Sequence, residues 1–501
     1  MDITSIWYML FIMALLWMYW LAPKKIKWIV LLGGSIFFYI INNQSYTCFY
    51  ILINVFVVYI ATNAFQNNSN LLCKKILLIF TLVINIGMLG VLKYTNMFIG
   101  TYNFFSRENI SFVDWLAPMA ISYYILQLTA YTLDCYWGTI CVEKNFGKLL
   151  LFTIYFPLLI SGPICRWSEI GEQLFEDHSF EYDQVTSGMR RAIWGVAKKL
   201  IVADHLYTIV NVMFEDPNTF AGFWIIIAAM LFAVQLYFDF SGCMDIVIGV
   251  SKCFGIILPE NFRAPFLSKS VQEFWQRWHI TLGAWMKNYV MYPLLKTDAF
   301  VWLGQECKKR FGKKGKKIPA YIAMLVVWFA IGIWHGSSWK YVIGQGCFFW
   351  LVIVLEQILD PTFKKVKQKL HIKEQGLLVQ TIQVVRTGIL FAIGNIAFRA
   401  SSLSNTFFMY KQIFKWSGIA TQIQILKDLI LNNWGVEIIL AVSVIVILQI
   451  VDDIYAAQGK NVQSLIVTKP IGLRWICYLA IVFMILFFRN TGETAFVYFQ
   501  F

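Results

Sequence analysis

Long apolar stretches separated by short polar segments dominate the chain. A helix needs about 20 apolar residues to cross the hydrocarbon core of a bilayer. The clearest stretches are Ser5–Leu21, Trp28–Ile41, Cys48–Phe65, Ile76–Leu92, Phe223–Leu236, Ile318–Trp334, Tyr341–Leu359, Thr387–Ala397, Val436–Val451 and Trp475–Phe488, with shorter or more polar ones at Trp115–Tyr136, Leu149–Ile164 and Ala192–Val212. The pattern predicts an all-α polytopic membrane protein with about eleven to fourteen transmembrane or re-entrant helices.

Composition supports this fold class. Of the 501 residues, 59% are hydrophobic and 14% are charged, too little charge to cover a soluble fold of this size. The first apolar stretch lacks a cleavage pattern, so we expect it to remain as a span. No repeat or linker divides the chain. We therefore expect a single membrane-embedded domain, 1–501, with N-terminal spans in 1–110, a polar catalytic core in 115–350 and C-terminal spans in 351–501.

Basic residues cluster in a few segments between the apolar stretches. The densest cluster runs from Lys308 to Lys317 and includes Lys313, Lys314, Lys316 and Lys317. Positive charge in short loops is retained in the cytosol, so the cluster is expected there, and the next apolar stretch then carries His335 towards the outer face. The cluster either sets topology and binds anionic lipid, or forms a docking loop for an acidic partner or a phosphate-rich acyl donor.

One stretch places several polar side chains inside an apolar span. Gln235, Tyr237, Asp239, Ser241 and Asp245 interrupt what is otherwise a hydrophobic segment. An ionisable residue at membrane depth is energetically expensive and marks function by default. Two compatible interpretations remain. A carboxylate could hold a histidine tautomer, or the two aspartates could pair with Arg263 or Arg277 and brace the fold.

Only five histidines are available for chemistry. His178 and His371 lie in polar segments and are expected to be solvated, and His205 is ambiguous. His279 and His335 lie in segments dense in aromatic residues and are the best catalytic candidates. No metal site is expected, because these two are 56 residues apart (335 − 279) without an HExxH pattern.

Several short sequence blocks follow one another along the chain. They are Pro118-Met119-Ala120-Ile121-Ser122-Tyr123-Tyr124, Phe156-Pro157 with Ser161-Gly162-Pro163-Ile164, Tyr237–Asp245, Pro259-Glu260-Asn261-Phe262, Glu273–His279, Trp285, Tyr292-Pro293, Trp334-His335-Gly336, Trp339, Phe398-Arg399-Ala400 and the ending Phe496–Phe501. In this order and spacing the chain resembles the membrane-bound O-acyltransferase superfamily, in its bacterial alginate O-acetylation branch. Teichoic acid D-alanyl transfer proteins are related. Ala120 replaces a family glycine, and Leu294–Asp298 lacks the family's Leu-Gly-Gly.

The resemblance implies a ring of helices around a central tunnel, with His335 as the catalytic histidine and His279 as the second one. The supporting or tunnel-lining positions are Gln235, Tyr237, Asp239, Ser241, Asp245, Asn261, Arg277, Trp278 and Trp334. A histidine there could deprotonate an accepting hydroxyl or transiently carry the acyl group.

The resemblance also implies a function. An acyl group, expected to be acetyl, passes from a cytosolic thioester across the membrane for O-acetylation of a cell-envelope or exported polysaccharide. The donor is acetyl-coenzyme A or an acyl carrier protein thioester, with no tightly bound cofactor. The expected partners are the lipid bilayer, an extracytoplasmic acetyltransferase or the polysaccharide, and no nucleic acid. The alternatives are D-alanyl transfer to teichoic acid and, in a different class, a transporter or flippase.

Overall fold

The protein is mostly helical in the computed structural model, which describes residues 2–44, 46–373, 375–415, 419–460 and 462–490. The C-terminal block at 496–501 lies outside these residues. Two compact units are found, Met1–Val196 with Cys243–Glu260, and Ala197–Gly242 with Asn261–Phe501, and each is described by itself. The expectation of a single domain stays a prediction.

The first unit contains mostly long apolar helices followed by shorter ones. Its helices are Ile6–Leu21, Lys24–Ile26 (3₁₀), Lys27–Ile41, Cys48–Asn67, Leu71–Ser106, Ile121–Trp137, Phe146–Ile154, Phe156–Leu159, Trp167–Ile170 and Tyr182–Ala197. The predicted stretch Leu149–Ile164 is divided at Tyr155, whose extended backbone precedes Pro157 in the next helix. A proline cannot donate a backbone hydrogen bond, so it sits at the start of a new helix.

The helix Leu71–Ser106 shows how these elements meet lipid on one side and protein on the other. Leu78, Thr81, Asn85 and Leu89 recur at helical spacing and are buried. The intervening side chains Ile76, Phe80 and Val83 are exposed. Asn54 of the neighbouring helix donates from Nδ2 to Oδ1 of Asn85 at 2.6 Å. A buried hydrogen bond of this kind holds apolar helices together where the hydrophobic effect cannot.

An ion cluster stabilises the end of the first unit. The Nε of Arg191 lies 2.9 Å from Oδ1 of Asp245, and its Nη2 lies 2.6 Å from Oε2 of Glu260. Asp245 is therefore paired with Arg191, and the predicted pairing with Arg263 or Arg277 is wrong for this residue. The reason is close helix packing: a Cβ on Gly188 would lie 2.5 Å from the carbonyl oxygen of Gly249, so the helix Tyr182–Ala197 comes near enough for Arg191 to reach Asp245.

The second unit contains the remaining helices. They are Lys198–Ala203 (π), Asp204–Glu215, Pro265–Leu267 (3₁₀), Val271–Arg277, Ile280–Met286, Lys287–Met291 (π), Tyr292–Leu295, Asp298–Gly315, Ile318–His335, Lys340–Cys347 (π), Phe348–Lys369, Leu377–Arg399, Leu403–Gln412, Ile419–Asn433, Val436–Ala457, Val462–Val467 and Ile471–Phe488. The helix Phe223–Cys253 contributes residues to both units.

Eight helices of the described chain are long and apolar enough to cross a membrane. They are Cys48–Gln66, Leu71–Ser106, Phe223–Cys253, Ile318–His335, Lys340–Lys369, Leu377–Arg399, Val436–Ala457 and Ile471–Phe488, and Ile6–Leu21 is a shorter apolar helix. The prediction of an all-α polytopic membrane protein is confirmed. The other predicted segments are shorter helices, so the expected total of eleven to fourteen and the central tunnel stay predictions.

Candidate active site

His335 is the last residue of the helix Ile318–His335, and its side chain is buried. Two glycines let the following π-helical turn pack closely against this helix. A Cβ on Gly332 would lie 2.7 Å from Cα of Val342, and one on Gly336 would lie 2.4 Å from the Tyr341 ring. Phe398 then lies at the edge of the imidazole, with ring centroids 5.3 Å apart. The close packing thus fixes where the imidazole lies.

His279 lies between two short helices, Val271–Arg277 and Ile280–Met286, with a left-handed backbone at φ 47°. Asn261 holds this unusual turn in place. Its backbone carbonyl accepts from the N–H of Ile280 at 3.1 Å. Its Oδ1 accepts from the backbone N–H and the hydroxyl of Thr281, at 3.0 and 2.8 Å. A non-glycine residue in this conformation persists only where its surroundings enforce it, as they often do at active sites.

The same amide fixes the proton on the His279 ring. Nδ1 of His279 lies 3.4 Å from Oδ1 of Asn261. The backbone N–H of Thr281 can only donate, so the atom it contacts must be the amide oxygen, and the Nδ1 facing that oxygen must carry the hydrogen. The lone pair of the neutral ring is then on Nε2. Asn261 thus does for His279 what a carboxylate does in many histidine pairs.

Trp334 brings the two histidines together although they are far apart in sequence. Its ring centroid lies 5.6 Å from that of His279 and 5.2 Å from that of His335. Phe240 contacts His279 from another side at 4.9 Å. All four side chains are buried. Two imidazoles in a shared aromatic environment, shielded from water, are suited to proton transfer and to electrostatic stabilisation of an acyl-transfer intermediate.

The polar residues of the helix Phe223–Cys253 find buried partners that the sequence analysis missed. Nζ of Lys199 lies 2.8 Å from Oδ1 of Asp239 and 2.7 Å from Oδ1 of Asp204. Nζ of Lys198 donates to Oγ of Ser241 at 3.0 Å. The predicted pairing of Asp239 with Arg263 or Arg277 is therefore wrong. Lys198 and Lys199 begin a π-helix within the same unit, where they can reach this helix.

A second buried group joins this helix to Val436–Ala457. The hydroxyl of Tyr237 donates to the carboxylate of Asp453, at 3.0 Å from Oδ1. Nε2 of Gln449 donates to the same oxygen at 3.0 Å. Gln235 is buried on the same helix as Tyr237. The tyrosine ring itself packs against Trp278 at 6.0 Å, which links the carboxylate to the His279 segment.

Two arginines lie near His279 in the fold, one just before it in sequence and one in the segment that pairs with it. Phe262 and Trp278 form an isolated antiparallel bridge, and the N–H of Arg263 donates to the carbonyl of Arg277 at 3.0 Å. The side chain of Arg277 pairs with Glu273 at 2.6 Å. A cavity of about 690 Å³ adjoins this bridge. Its lining residues are Arg263, Gln276, Arg277, Ile280, Ala456, Ala457 and Gly459.

The basic cluster is largely helical and not a loop. Lys313 and Lys314 belong to the helix Asp298–Gly315, which kinks at Gly312, and Lys316 and Lys317 directly follow it. All four lysines are exposed. Helical structure here was masked in the sequence by the lysines and glycines, which interrupt the apolar pattern.

Lys340 is a further buried residue next to the histidines that the sequence analysis did not single out. Its ammonium donates to the backbone carbonyls of Phe398 and Ala400, at 3.3 and 2.6 Å. Because Phe398 also contacts the His335 ring, the lysine fixes one wall of the site. Its sequence signal was a cation directly before a long apolar stretch, where most lysines are topology signals.

The remaining histidines behave differently from one another. His371 is exposed, as predicted. His178 is not simply solvated: its Nε2 lies 2.6 Å from the carbonyl of Gln173, and its ring lies against Gly255. His205 is buried, with Nδ1 2.9 Å from the carbonyl of Ile201. Within the described residues, no group of three His, Cys, Asp or Glu side chains could hold a metal ion.

Sequence comparison shows which class of membrane protein this is. The chain belongs to the membrane-bound O-acyltransferase family, whose model matches residues 143–403. It is therefore an O-acyltransferase and a multi-pass protein of the bacterial cell membrane.

Three relatives show where in the family the chain lies. It is 27% identical over 420 residues to a probable alginate O-acetylase of Azotobacter vinelandii, covering 82% of this chain and 78% of that protein. It is 29% identical over 349 residues to a peptidoglycan O-acetyltransferase of Helicobacter pylori, covering 64% and 62%. It is 27% identical over 253 residues to a teichoic acid D-alanyltransferase of Bacillus subtilis, covering 50% and 61%.

Proposed function

We propose that the protein takes an acetyl group from a cytosolic thioester and passes it across the membrane for O-acetylation of a cell-envelope or exported polysaccharide. The observation that supports this most is the contact of both imidazoles with Trp334 in a buried aromatic environment. The similarity to the probable alginate O-acetylase of Azotobacter vinelandii supports the acetyl group and the polysaccharide class.

In the proposed reaction His335 acts on the accepting hydroxyl. The hydroxyl oxygen attacks the thioester carbonyl carbon while its proton moves to the imidazole. The carbon–sulfur bond then breaks, and the thiolate takes a proton to leave as the thiol. Alternatively the imidazole nitrogen attacks the thioester carbonyl and the carbon–sulfur bond breaks, releasing the thiol; the hydroxyl then attacks the acyl-imidazole, and the carbon–nitrogen bond breaks to restore the free histidine. A thioester is already activated, so a base, orientation and charge stabilisation suffice.

The remaining groups have supporting roles in this proposal. His279 lies on the donor side of Trp334. Asn261 holds this ring so that its lone pair is on Nε2. Asp239, Ser241 and Tyr237 hold the helix that carries Phe240 against His279. The exposed lysines Lys313, Lys314, Lys316 and Lys317 attract an anionic donor, over about 8 Å at physiological salt. An extracytoplasmic acetyltransferase or the polysaccharide itself receives the group.

D-alanyl transfer from a carrier protein to teichoic acid is the second candidate. The similarity to the teichoic acid D-alanyltransferase of Bacillus subtilis, which covers 50% of this chain, favours it. The two functions differ in the donor. The test supplies purified protein with radiolabelled acetyl-coenzyme A or with a D-alanyl carrier protein. Only the thioester that the protein uses as donor should be consumed, with release of its free thiol.

Substituting His335 tests the proposed function. His335→Ala should lower kcat by roughly a hundred- to ten-thousand-fold, the usual contribution of a general acid–base group. The exposed His371→Ala is the matched control and should keep wild-type turnover. A single-turnover reaction without acceptor separates the two chemical routes, because only the acyl-histidine route labels the protein. Near-wild-type transfer by a folded His335→Ala protein would rule out this assignment.

A further inference from the structure

We propose that the cavity beside Arg263 and Arg277 binds the phosphate-bearing end of the acyl donor. This inference rests on the proposed function, since it concerns the donor of the same reaction. It differs from docking at the exposed lysine cluster, because it assigns recognition to a cavity that adjoins the catalytic segment. The two arginines, the cavity and His279 all belong to the second unit.

The bridge geometry places both arginines beside the site. The backbone N–H of Arg263 donates to the carbonyl of Arg277, and Phe262 forms a bridge with Trp278. Arg277 ends the helix Val271–Arg277, and His279 follows it by two residues. Ile280, the residue after His279, lines the cavity together with both arginines. The cavity therefore adjoins the His279 segment directly.

The charges at the cavity favour an anion. The guanidinium of Arg277 is paired with Glu273 at 2.6 Å. Arg263 is exposed and makes no ion pair with any residue in the described part of the chain. Of the two charged lining residues, Arg277 is therefore offset by a carboxylate and Arg263 is not. A guanidinium donates two parallel hydrogen bonds to a phosphate, which gives geometric as well as electrostatic selectivity.

The buried carboxylate near the cavity, Asp453, has partners of its own. Asp453 lies one turn before Ala457, and its carboxylate accepts from Tyr237 and Gln449. The helix end also presents backbone carbonyls, which would repel an anion. The carbonyl of Ala456 accepts from the N–H of Gly459, and that of Tyr455 accepts from the N–H of Lys460. These bonds satisfy the carbonyls and leave the arginine side of the cavity dominant.

The sequence around the cavity agrees with a donor arriving from the cytosol. Lys460 and Lys469 lie in the short connection between the apolar helices Val436–Ala457 and Ile471–Phe488. Positive charge in such a connection is retained in the cytosol. A phosphate bound at the arginines would let a pantetheine arm extend past Ile280 towards His279.

Phosphate next to a pantetheine arm occurs both in coenzyme A and in the prosthetic group of an acyl carrier protein. The test measures binding of coenzyme A, phosphopantetheine and pantetheine to the full-length His335→Ala protein in nanodiscs, so that turnover is not needed. Arg263→Gln, added to that protein, should weaken coenzyme A and phosphopantetheine binding by about tenfold, as expected for a lost charge-assisted contact. Pantetheine, which lacks the phosphate, should bind equally with and without the substitution.

Further variants separate the guanidinium from general charge. Arg263→Lys should recover part of the affinity, because the charge is kept and the paired donors are lost. Lys364→Gln is the matched control: it removes an exposed cation whose partner, Asp360, is 2.9 Å away. It should leave all three affinities unchanged. Neutralising Lys313, Lys314, Lys316 and Lys317 together should flatten the salt dependence of association while phosphate selectivity remains.

The outcomes distinguish the inference from the proposed function. A loss restricted to coenzyme A identifies its additional phosphates as the bound groups, whereas a loss for both phosphate compounds identifies the group shared with carrier proteins. Unchanged affinities in Arg263→Gln and in Arg277→Gln would overturn the cavity inference even if acyl transfer proceeds. Phosphate-dependent binding in a protein with no acyl transfer would instead leave the cavity standing and remove the proposed function.

Discussion

Replacing Lys199 by methionine removes the ammonium that Asp204 and Asp239 share. The three side chains are at most 4% exposed, and the two N–O distances are 2.7 and 2.8 Å. At an effective dielectric constant of about 20, each contact corresponds to roughly 6 kcal/mol of Coulomb attraction. Most of that attraction is offset by the cost of desolvating the charges. Breaking a buried pair by removing one partner nevertheless costs about 3–5 kcal/mol.

We therefore expect Lys199→Met to lower the free energy of unfolding by about 3–5 kcal/mol. The assay is denaturant titration of the purified protein in mixed micelles, followed by tryptophan fluorescence. The informative comparison is the triple variant Lys199→Met, Asp204→Asn, Asp239→Asn, which keeps the side-chain volumes and removes all three charges. It should recover to within about 2 kcal/mol of wild type, because neutral replacement of a buried ionic group is often tolerated. Equal stability of the single variant and the wild type would refute this reasoning.

The remaining predictions concern backbone geometry. Ala120 has φ 63°, so Ala120→Gly should raise stability by about 0.5–1 kcal/mol by relieving left-handed strain. Ala130→Gly, inside the helix Ile121–Trp137, should instead lower it by about 1 kcal/mol. The strain argument would be contradicted if denaturant titration showed no gain in stability for Ala120→Gly. Gly336→Ala drives a methyl group into the Tyr341 ring and should lower stability by about 1–3 kcal/mol together with kcat. Gly388→Ala, which meets nothing within 4 Å, is its control, and equal melting curves and turnover for the two alanine variants would count against this steric explanation.

The glycine that the family resemblance implies at position 120 has a physical explanation in these dihedral angles. The residue begins the helix Ile121–Trp137 from the left-handed region, which glycine adopts without strain. The sequence showed the departure from the family pattern. It could not show that Ala120 is left-handed, because the sign of φ at the start of a helix depends on the direction from which the preceding segment approaches it.

Apolar patterning predicted the membrane helices well at their centres and less well at their ends. The predicted stretch Phe223–Leu236 stops where polar residues begin, but the helix continues to Cys253. Hydropathy measures transfer of side chains into lipid, whereas a buried aspartate can remain in a helix once a lysine pairs with it. The partner is distant in sequence, so the pattern could not include it.

The histidines could be proposed as candidates from the sequence, but their surroundings depend on tertiary contacts. Aromatic-rich segments and the family resemblance singled out His279 and His335. Lys198 and Lys199 were missed although they interrupt the candidate span Ala192–Val212, and the same rule on ionisable residues at membrane depth would have found them. Asn261 was named only as a supporting position. Its control of the His279 tautomer depends on the Thr281 N–H, which only coordinates reveal.

The ammonium of Lys340 donates to two main-chain oxygens, those of Phe398 and Ala400. A backbone carbonyl is present whatever side chain a residue carries. No substitution at 398 or 400 therefore deletes either acceptor, and a complete single-substitution scan would detect this contact at position 340 alone. Covariation between related sequences is blind to it for the same reason, because only one of the two contacting segments records the contact in its amino-acid identity.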